Sequence, residues 1–373
     1  MRKIGKIKYG GIDTMKAFTK KLVLANGREF YGYGFGADRE AIHEIVFNTS
    51  VVGYQELMSD PAYTNQMVVM TYPLIGNYGM ADEDYETKTP MLGAMIVREY
   101  NDLPSNFRYT RTLSEVLEEY GIPGIEGLDT RALTRIIRDE GSQKAILTDA
   151  ATPKEEALAK LEAYELPTDL VKRVSCRKRW MSRVPNHTYD VVAIDCGIRN
   201  SVIRQLNTVG CNVTVVPYTA TVEEIMAFHP DGVVISNGPG DPTHVTEVIE
   251  LVKKLRGRLP IFGVGMGLQL IALAYGAKIE KLKFGHRGSN HPVMNHKTGL
   301  VEMAVQNHGY VVKPEQTGML EVTHTNLLDN TIEGMECKLD RLFAVQFDPT
   351  AVDGECHDLF KKFVKLMEKG RDA

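Results

Sequence analysis

The first half of the chain contains short apolar runs separated by glycine, asparagine and proline. These runs fall within residues 22–147, for example at 44–47, 67–70 and 93–97. Short runs rich in β-forming residues and bounded by turn residues are typical of strands. Helical spacing occurs in two later stretches, from Ser114 to Tyr120 and from Asp129 to Glu140, the second capped by Asp129 or Thr130. We therefore predict a β-rich α+β domain in this half.

The second half of the chain alternates apolar runs with helical intervals. Runs with the character of buried strands lie at 190–195, 212–216, 232–236 and 260–264. This alternation predicts an α/β fold, an open doubly wound parallel sheet with helices on both faces. Ligands of such sheets bind beyond the carboxyl ends of the strands. Two glycine-containing loops fall there, at 236–242 and around Gly265, and we expect both to face one crevice.

A length of 373 residues is consistent with two domains joined by a linker. We assign residues 18–150 to the first domain and 189–373 to the second. The stretch between them, 151–188, is interpreted as the linker. In it, a charged helix that begins at Pro153 is followed by a polar segment that reaches Asn186.

The first residues precede the clean strand pattern, which begins only at Lys21. Four basic residues lie ahead of Met15, which we interpret as an alternative start of the natural chain. We interpret residues 1–17 as a flexible extension.

Charge and composition narrow the classes of function. The balance of 44 basic against 48 acidic residues, with a pI of about 6.2, gives no sign of a nucleic-acid partner. No apolar run reaches the roughly 18 residues that cross a bilayer, and no signal-peptide segment follows the first residues, so no membrane partner is expected. The five cysteines lack C-x-x-C spacing. That argues against a disulfide framework and a zinc site, so no metal is expected and a reducing cytoplasm fits best.

A glycine-rich elbow follows the strand at 260–264. The sequence of residues 260–269 is Pro-Ile-Phe-Gly-Val-Gly-Met-Gly-Leu-Gln. Elbows of this kind project a nucleophile from a strained strand-to-helix corner, beside amides that stabilise an oxyanion. The segment resembles the G-x-C-x-G-x-Q motif of class I (triad-type) glutamine amidotransferases, in which the cysteine attacks the carboxamide of glutamine. Gly265 stands at the position of that cysteine and has no side chain to project.

The other two triad positions of that family also differ here. The resemblance places its His-Pro-Glu turn on Asp348-Pro349-Thr350. Aspartate lacks the imidazole that deprotonates a thiol near neutral pH, and Thr350 has no charge to orient an imidazolium. The family triad positions therefore fall on Gly265, Asp348 and Thr350, and none is intact. We expect a chain that is inactive as a glutaminase.

Further motifs narrow the resemblance to the small chain family of carbamoyl phosphate synthetase, over roughly residues 18–367. In the first half these motifs are 47–50 (FNTS), 52–56 (VGYQE), 71–73 (TYP), 75–77 (IGN), 105–108 (SNFR) and 127–131 (GLDTR). In the second half they are 236–242 (SNGPGDP), 283–288 (KFGHRG), 290–293 (NHPV) and 306–310 (QNHGY). The N-terminal set is peculiar to this small chain. The second domain is accordingly expected to be class I glutamine amidotransferase-like.

The resemblance implies a partner and a division of labour. A separate large subunit uses ATP and bicarbonate to make carbamoyl phosphate, while the small chain releases ammonia from glutamine and passes it through a tunnel. This chain has no G-x-x-x-x-G-K-[ST] loop. No cofactor is therefore expected in it, and ATP and Mg are expected on the large subunit.

The positions that hold glutamine in the family match this chain better than the triad positions do. Six residues match the family pattern: Ser50, which reaches over from the first domain, Gly238, Gly240, Gln269, Asn307 and Gly309. Met266 and Tyr310 stand at two further positions in place of other apolar or aromatic residues. The amides of Gly238 and Met266 would form the oxyanion hole. Because backbone amides need no particular side chain, that device tolerates changes of sequence.

Three functions stay open at this point. The chain is a non-hydrolytic small subunit that scaffolds an ammonia-using large subunit, or a glutamine or metabolite sensor, or a glutaminase that works by an unconventional route. Cys356 beside His357 would be a relocated nucleophile, but adjacent residues seldom point at each other. His286, His291 and His308 lie in the family motifs, and we expect structural hydrogen-bonding roles for them.

Overall fold

The computed structural model describes residues 4–7, 14–350 and 355–371, and the chain divides into two compact units between Pro167 and Thr168. That division falls inside the 151–188 stretch. Among the described residues, no helix combines the length and the apolar character needed to span a membrane.

The first unit contains eleven strands and four α-helices among its described residues. They are β1 (Ile4–Ile7), β2 (Thr14–Ala17), β3 (Lys20–Leu24), β4 (Glu29–Gly36), β5 (Ala41–Asn48), α1 (Tyr54–Ser59), β6 (Gln66–Met70), β7 (Leu74–Ile75), β8 (Ala94–Ile96), β9 (Glu99–Tyr100), α2 (Leu113–Glu119), β10 (Pro123–Glu126), α3 (Thr130–Glu140), β11 (Gln143–Asp149) and α4 (Lys154–Ala163). Strands β1 and β2 pair with each other, within the part predicted as an extension. Its flexibility stays a prediction.

Seven strands of the first unit close into a barrel in the order β10-β4-β3-β11-β5-β6-β8. The two predicted helices form beside it, close to their predicted bounds. Asp129 caps α3 by accepting a hydrogen bond from the Ala132 N–H (3.0 Å), and the apolar side of α3 is buried. The β-rich α+β organisation predicted for this half is confirmed.

The second unit adds ten strands and six helices among its described residues. They are α5 (Leu170–Val174), β12 (Trp180–Ser182), β13 (Tyr189–Asp195), α6 (Asn200–Thr208), β14 (Cys211–Pro217), α7 (Val222–Met226), β15 (Gly232–Ile235), α8 (Thr246–Leu255), β16 (Ile261–Val264), α9 (Met266–Ala274), β17 (Ile279–Asn295), β18 (Val301–Val312), β19 (Glu321–Asn326), β20 (Ile332–Cys337), β21 (Leu342–Val345) and α10 (Glu355–Arg371).

These ten strands form one sheet in the order β12-β14-β13-β15-β16-β21-β20-β19-β17-β18. The neighbouring strands β14, β13, β15 and β16 are parallel, as predicted, and β21 continues the parallel part beside β16. Alternate residues of β13 enter separate apolar clusters, Val192 and Ile194 on one face and Val191 and Ala193 on the other. Because successive side chains of a strand point to opposite faces, this parallel part is covered on both sides.

Two parts of the sheet differ from the prediction of an open parallel sheet. Strands β20, β19, β17 and β18 extend it with antiparallel pairing, and β17 shifts register against β18. Polar and glycine-rich segments hide this extension from a search for apolar runs. Strand β12, inside the predicted linker, pairs antiparallel with β14 at the edge. Edge pairing uses backbone groups, so it needs no apolar pattern.

Candidate functional site

The elbow predicted at Gly265 is present between β16 and α9. Gly265 has φ 57° and ψ −114°, a conformation that residues with a side chain adopt only under strain. Its N–H donates to the Val345 carbonyl (2.8 Å), and its own carbonyl accepts from the Leu268 N–H (3.0 Å). These bonds fix the corner against the end of β21. The chain thus keeps the backbone of a nucleophile elbow without a nucleophile.

A side chain at this corner would meet close neighbours. A Cβ built on Gly265 would lie 3.1 Å from the Cβ of Asn237 and 4.0 Å from the carbonyl oxygen of Gln346. The first contact is tight, yet neither distance is a backbone clash. The main obstacle to a side chain here is therefore the backbone conformation.

Replacing Gly265 by alanine is expected to lower the free energy of unfolding by about 1–3 kcal/mol, because φ and ψ there suit only glycine. The matched control is Gly276→Ala at the other end of α9, where φ is also positive and an added Cβ has nothing within 4 Å. We expect a smaller loss of about 1 kcal/mol for the control. Urea unfolding of both variants checks this. No loss at position 265 would mean that the elbow backbone relaxes.

The position predicted for the lost base holds an ion pair. Asp348 Oδ2 is paired with Arg199 Nη1, and the two side chains are 9% and 15% exposed. Asp348 Oδ1 accepts hydrogen bonds from the N–H (2.9 Å) and the hydroxyl (2.6 Å) of Thr350. Both carboxylate oxygens are therefore engaged, and Thr350 is bonded to Asp348. This network lies in the segment directly after β21. The end of β21 itself contacts Gly265 through the Val345 carbonyl.

Arg199 was not among the residues that the sequence singles out. It occupies the position directly before α6, in the loop that follows the buried strand β13. The available signal was a cation at the carboxyl end of a central parallel strand, where ligands of such sheets bind. Its carboxylate partner lies 149 positions away, so the pair itself could not be found from local pattern.

A double-mutant cycle with Arg199→Ala and Asp348→Ala is expected to give a coupling energy of about 2 kcal/mol, because both groups are largely shielded from water. The matched control is the exposed pair Arg111 and Glu119, whose side chains are 39% and 50% exposed. Its coupling should stay below about 1 kcal/mol. Equal coupling energies from denaturant unfolding of the two cycles would contradict the assignment of a shielded pair at Asp348.

The two amides predicted for the oxyanion hole lie on the expected elements. Met266 is the first residue of α9, so its N–H has no intrahelical acceptor and lies at the positive end of the helix dipole. Gly238 lies in the loop after β15, where an added Cβ would be 2.4 Å from the Cys196 carbonyl oxygen. That close approach allows only glycine. Gly240, further along the same loop, has φ 86°.

Gln269 connects the elbow helix to the antiparallel extension. Its buried side chain donates to the Tyr310 carbonyl (2.8 Å) and to Gln346 Oε1 (3.1 Å). The predicted residues Asn307 and Gly309 lie on the same strand, β18, as Tyr310. The structure thus joins α9, the end of β21 and the 307–310 segment. Contact of these residues with glutamine stays a prediction.

Ser50 belongs to the first unit, in the loop after β5. Its N–H donates to Asn48 Oδ1 (2.7 Å), which fixes the loop locally. Its predicted role in holding glutamine stays a prediction.

Three described cysteines are poorly suited to replace the lost nucleophile. Burial, assisted by the charge of Asp195, raises the pKa of the Cys176 thiol to about 12 and raises that of Cys196 further. Burial also raises the pKa of Cys211 to about 12. Such thiols are not thiolates near neutral pH. The side chains of Cys356 and His357 lie outside the described residues.

The three histidines of the family motifs lie close together in the antiparallel extension. His286 is 5.1 Å from His291 and 5.0 Å from His308 between ring centroids. Burial alone would lower the pKa of His286, but hydrogen bonds to Asp329 and Glu333 raise it to about 9. Burial lowers the pKa of His308 and lowers that of His291 to about 4. These rings form a polar cluster inside the extension.

Known families match both units. Residues 22–147 match the family described as carbamoyl-phosphate synthase small chain, CPSase domain, and residues 192–366 match glutamine amidotransferase class-I. The chain is 47% identical over 350 residues to the carbamoyl phosphate synthase small chain of Listeria innocua, covering 93% of this chain and 96% of that one. It is 48% identical over 358 residues to the small chain of Chlorobaculum tepidum, covering 93% and 97%. Identity to the pyrimidine-specific small chain of Bacillus subtilis is 45% over 351 residues, covering 94% and 96%.

Proposed function

The chain belongs to the carbamoyl phosphate synthase small chain family, and we propose that it is a subunit without glutaminase activity that scaffolds an ammonia-using large subunit. The observation that carries this proposal is the ion pair between Arg199 and Asp348 next to the side-chain-free elbow at Gly265. Family chemistry needs a thiolate and an imidazole at these places. Here the first group is missing, and the place of the second holds a carboxylate whose oxygens are both engaged.

The geometry of the site favours loss of the glutaminase reaction over a nucleophile at a new position. Attack on the carboxamide of glutamine requires a nucleophile beside an oxyanion site about 3 Å away. The amides of Gly238 and Met266 could still polarise a carbonyl, but stabilising an oxyanion forms no thioester. The raised pKa values of Cys176, Cys196 and Cys211 argue against a substitute thiolate at these three positions.

The family motifs of the first unit support a retained partner surface. Some of their residues are structural, because Tyr54 and Gln55 are buried. Others are exposed, above all Phe107, which is 95% exposed, and Val52. Exposed aromatic side chains are enriched at protein interfaces. Phe107 therefore belongs to the surface that we propose to bind the large subunit, which would also hold ATP and Mg.

Mixing this chain with a carbamoyl phosphate synthetase large chain is expected to give a stable complex near the summed mass in size-exclusion chromatography. Phe107→Ala should weaken it at least about tenfold, because buried aromatic anchors carry much of the binding energy. The melting temperature of this chain alone should not change, since Phe107 packs against little of it. The matched control is Leu339→Ala, which removes a side chain that is 77% exposed but outside the family motifs. Two separate peaks at micromolar concentration would contradict the proposal.

A second candidate function is sensing of glutamine or a similar metabolite. It is favoured by the residues that remain at the predicted glutamine-holding positions. Gln269 ties the elbow helix to Tyr310, and the amides predicted for the oxyanion hole lie at the start of α9 and in the loop after β15. A sensor would bind glutamine in the absence of a large chain, so a rise in melting temperature with glutamine alone distinguishes this function. Loss of that rise in Gln269→Ala would locate the binding.

A further inference from the structure

Three buried groups from three strands converge inside the antiparallel extension. His286 lies on β17, His308 on β18 and Glu333 on β20, and Glu333 is fully buried. One potential ligand atom from each lies within 4.8 Å of the other two. Their separations in sequence are large, so only the strand pairing brings them together. A charged carboxylate at such a place needs a compensating cation.

The outer nitrogen of each imidazole is held by an oxygen. His286 Nε2 lies 2.9 Å from Asp329 Oδ2, and His308 Nδ1 lies 3.1 Å from the Tyr310 carbonyl oxygen. Both oxygens are acceptors, so each of these nitrogens carries the hydrogen. In a neutral imidazole the other nitrogen then presents a lone pair. This is the arrangement of metal-bound histidines, whose second nitrogen usually donates to a carboxylate or a backbone carbonyl.

With both imidazoles neutral, the inner atoms are acceptors that face one another. Glu333 Oε1 lies 3.6 Å from His308 Nε2 and 3.8 Å from His286 Nδ1. Gln306 Oε1 adds a further oxygen 3.3 Å from His308 Nε2. Among the described residues, Asn326 Nδ2 and the Thr331 hydroxyl reach this group only at 3.4–3.5 Å. Converging lone pairs repel each other unless a cation lies between them.

Two polar atoms of this cluster that lack a hydrogen-bond partner also favour a bound cation. Within the described residues, Glu333 Oε2 and the buried Nδ1 of His291 have no hydrogen-bond partner. Leaving such groups unpaired costs several kilocalories per mole for a carboxylate, so an occupant is expected.

We propose that His286 Nδ1, His308 Nε2 and Glu333 bind a divalent transition-metal ion, with zinc the best match to two imidazoles and a carboxylate. Zinc bonds of about 2.0–2.1 Å to four tetrahedral ligands place those ligands about 3.3 Å apart. The two separations from Glu333, 3.6 and 3.8 Å, exceed this by a few tenths of an ångström, and the two imidazole nitrogens lie within 4.8 Å of each other. Binding therefore requires side-chain rotations that bring the three atoms closer together. Magnesium and calcium are disfavoured because they prefer oxygen ligands. Gln306 Oε1, His291 or water would complete the set.

Such an ion would be structural. It would link β17, β18 and β20 and fix the segment from Gln306 to Tyr310, whose carbonyl holds Gln269. The competing occupant is a proton on His286, which the raised pKa of that ring would accommodate. A proton bridges one donor–acceptor pair, whereas a metal ion satisfies all the converging acceptors.

Metal analysis of the full chain tests the proposal. The protein is purified without a histidine tag or chelator, gel-filtered, and measured by inductively coupled plasma mass spectrometry. About one zinc ion per chain is expected. After the metal has been removed with a chelator, added zinc should restore the melting temperature. Less than about a tenth of an ion per chain, with no thermal shift from zinc or cobalt, would overturn the proposal and leave the proton as the occupant.

Variants locate the ion. Glu333→Gln keeps the size of the side chain and should weaken zinc binding at least about tenfold. Glu336→Gln, on the opposite face of β20 and partnered by Lys297 and Lys362, should keep one ion per chain. Equal zinc content in both variants would overturn the site. If Glu333→Gln does not fold, X-ray absorption of the wild-type zinc protein decides, since a spectrum without imidazole ligands would overturn it as well.

Discussion

Purified protein incubated with glutamine is expected to release no ammonia above a buffer control. The reaction of the family begins with attack by a cysteine thiolate, and Gly265 offers no atom that can attack. Asp348 is held by Arg199 and Thr350 and cannot serve as an imidazole would. Removal of a whole triad in another nucleophilic enzyme costs about a millionfold in turnover. We expect a deficit of that order against a small chain with an intact triad.

A coupled ammonia assay makes the measurement, with the small chain that has an intact triad as the positive control. Mass spectrometry of the protein after incubation with glutamine gives an independent check. A covalent glutamyl adduct would contradict this expectation and would restore the unconventional glutaminase as the best function.

Restoring activity is expected to need the complete set of lost groups. Gly265→Cys alone should give little, because a thiol with a pKa of about 8.5 has no base beside it. Adding Asp348→His and Thr350→Glu should raise turnover by about a hundredfold or more, the usual contribution of a positioned base. Arg199 now sets a further condition, since its positive charge would face the new imidazole and oppose its protonation. Combining Arg199→Gln with the three changes should therefore give the highest activity.

Steady-state glutaminase rates of the single, triple and quadruple variants decide this. Melting temperatures serve as the control for folding, because the side chain at position 265 adds strain. Full activity of Gly265→Cys alone would show that Asp348 is not the place of the lost base. A triple variant as active as the quadruple one would show that Arg199 does not act on it.

Local sequence patterns predicted the features of this chain that depend on neighbouring residues. The strand-to-helix corner at Gly265 follows from a buried apolar run and a glycine-rich turn, and the cap at Asp129 from a single helical start. Parallel strands β13 to β16 follow from short apolar runs with helices between them. The family assignment made from the motifs is confirmed by the relatives.

The features that sequence analysis missed depend on contacts between distant residues. Arg199 and Asp348 are 149 positions apart, and no local signal pairs them. The cluster of His286, His308 and Glu333 is assembled from three strands of the extension, so no local spacing in the sequence indicates it. That extension was itself missed, since its long strands are polar, glycine-rich and irregular in register.

The most direct test of the central claim compares two nitrogen sources for one complex. A carbamoyl phosphate synthetase large chain is mixed with this chain, and carbamoyl phosphate synthesis is measured with ammonium and with glutamine side by side. We expect synthesis with ammonium at a rate at least equal to that of the large chain alone, and none with glutamine. Synthesis from glutamine at a rate comparable to that from ammonium would contradict it.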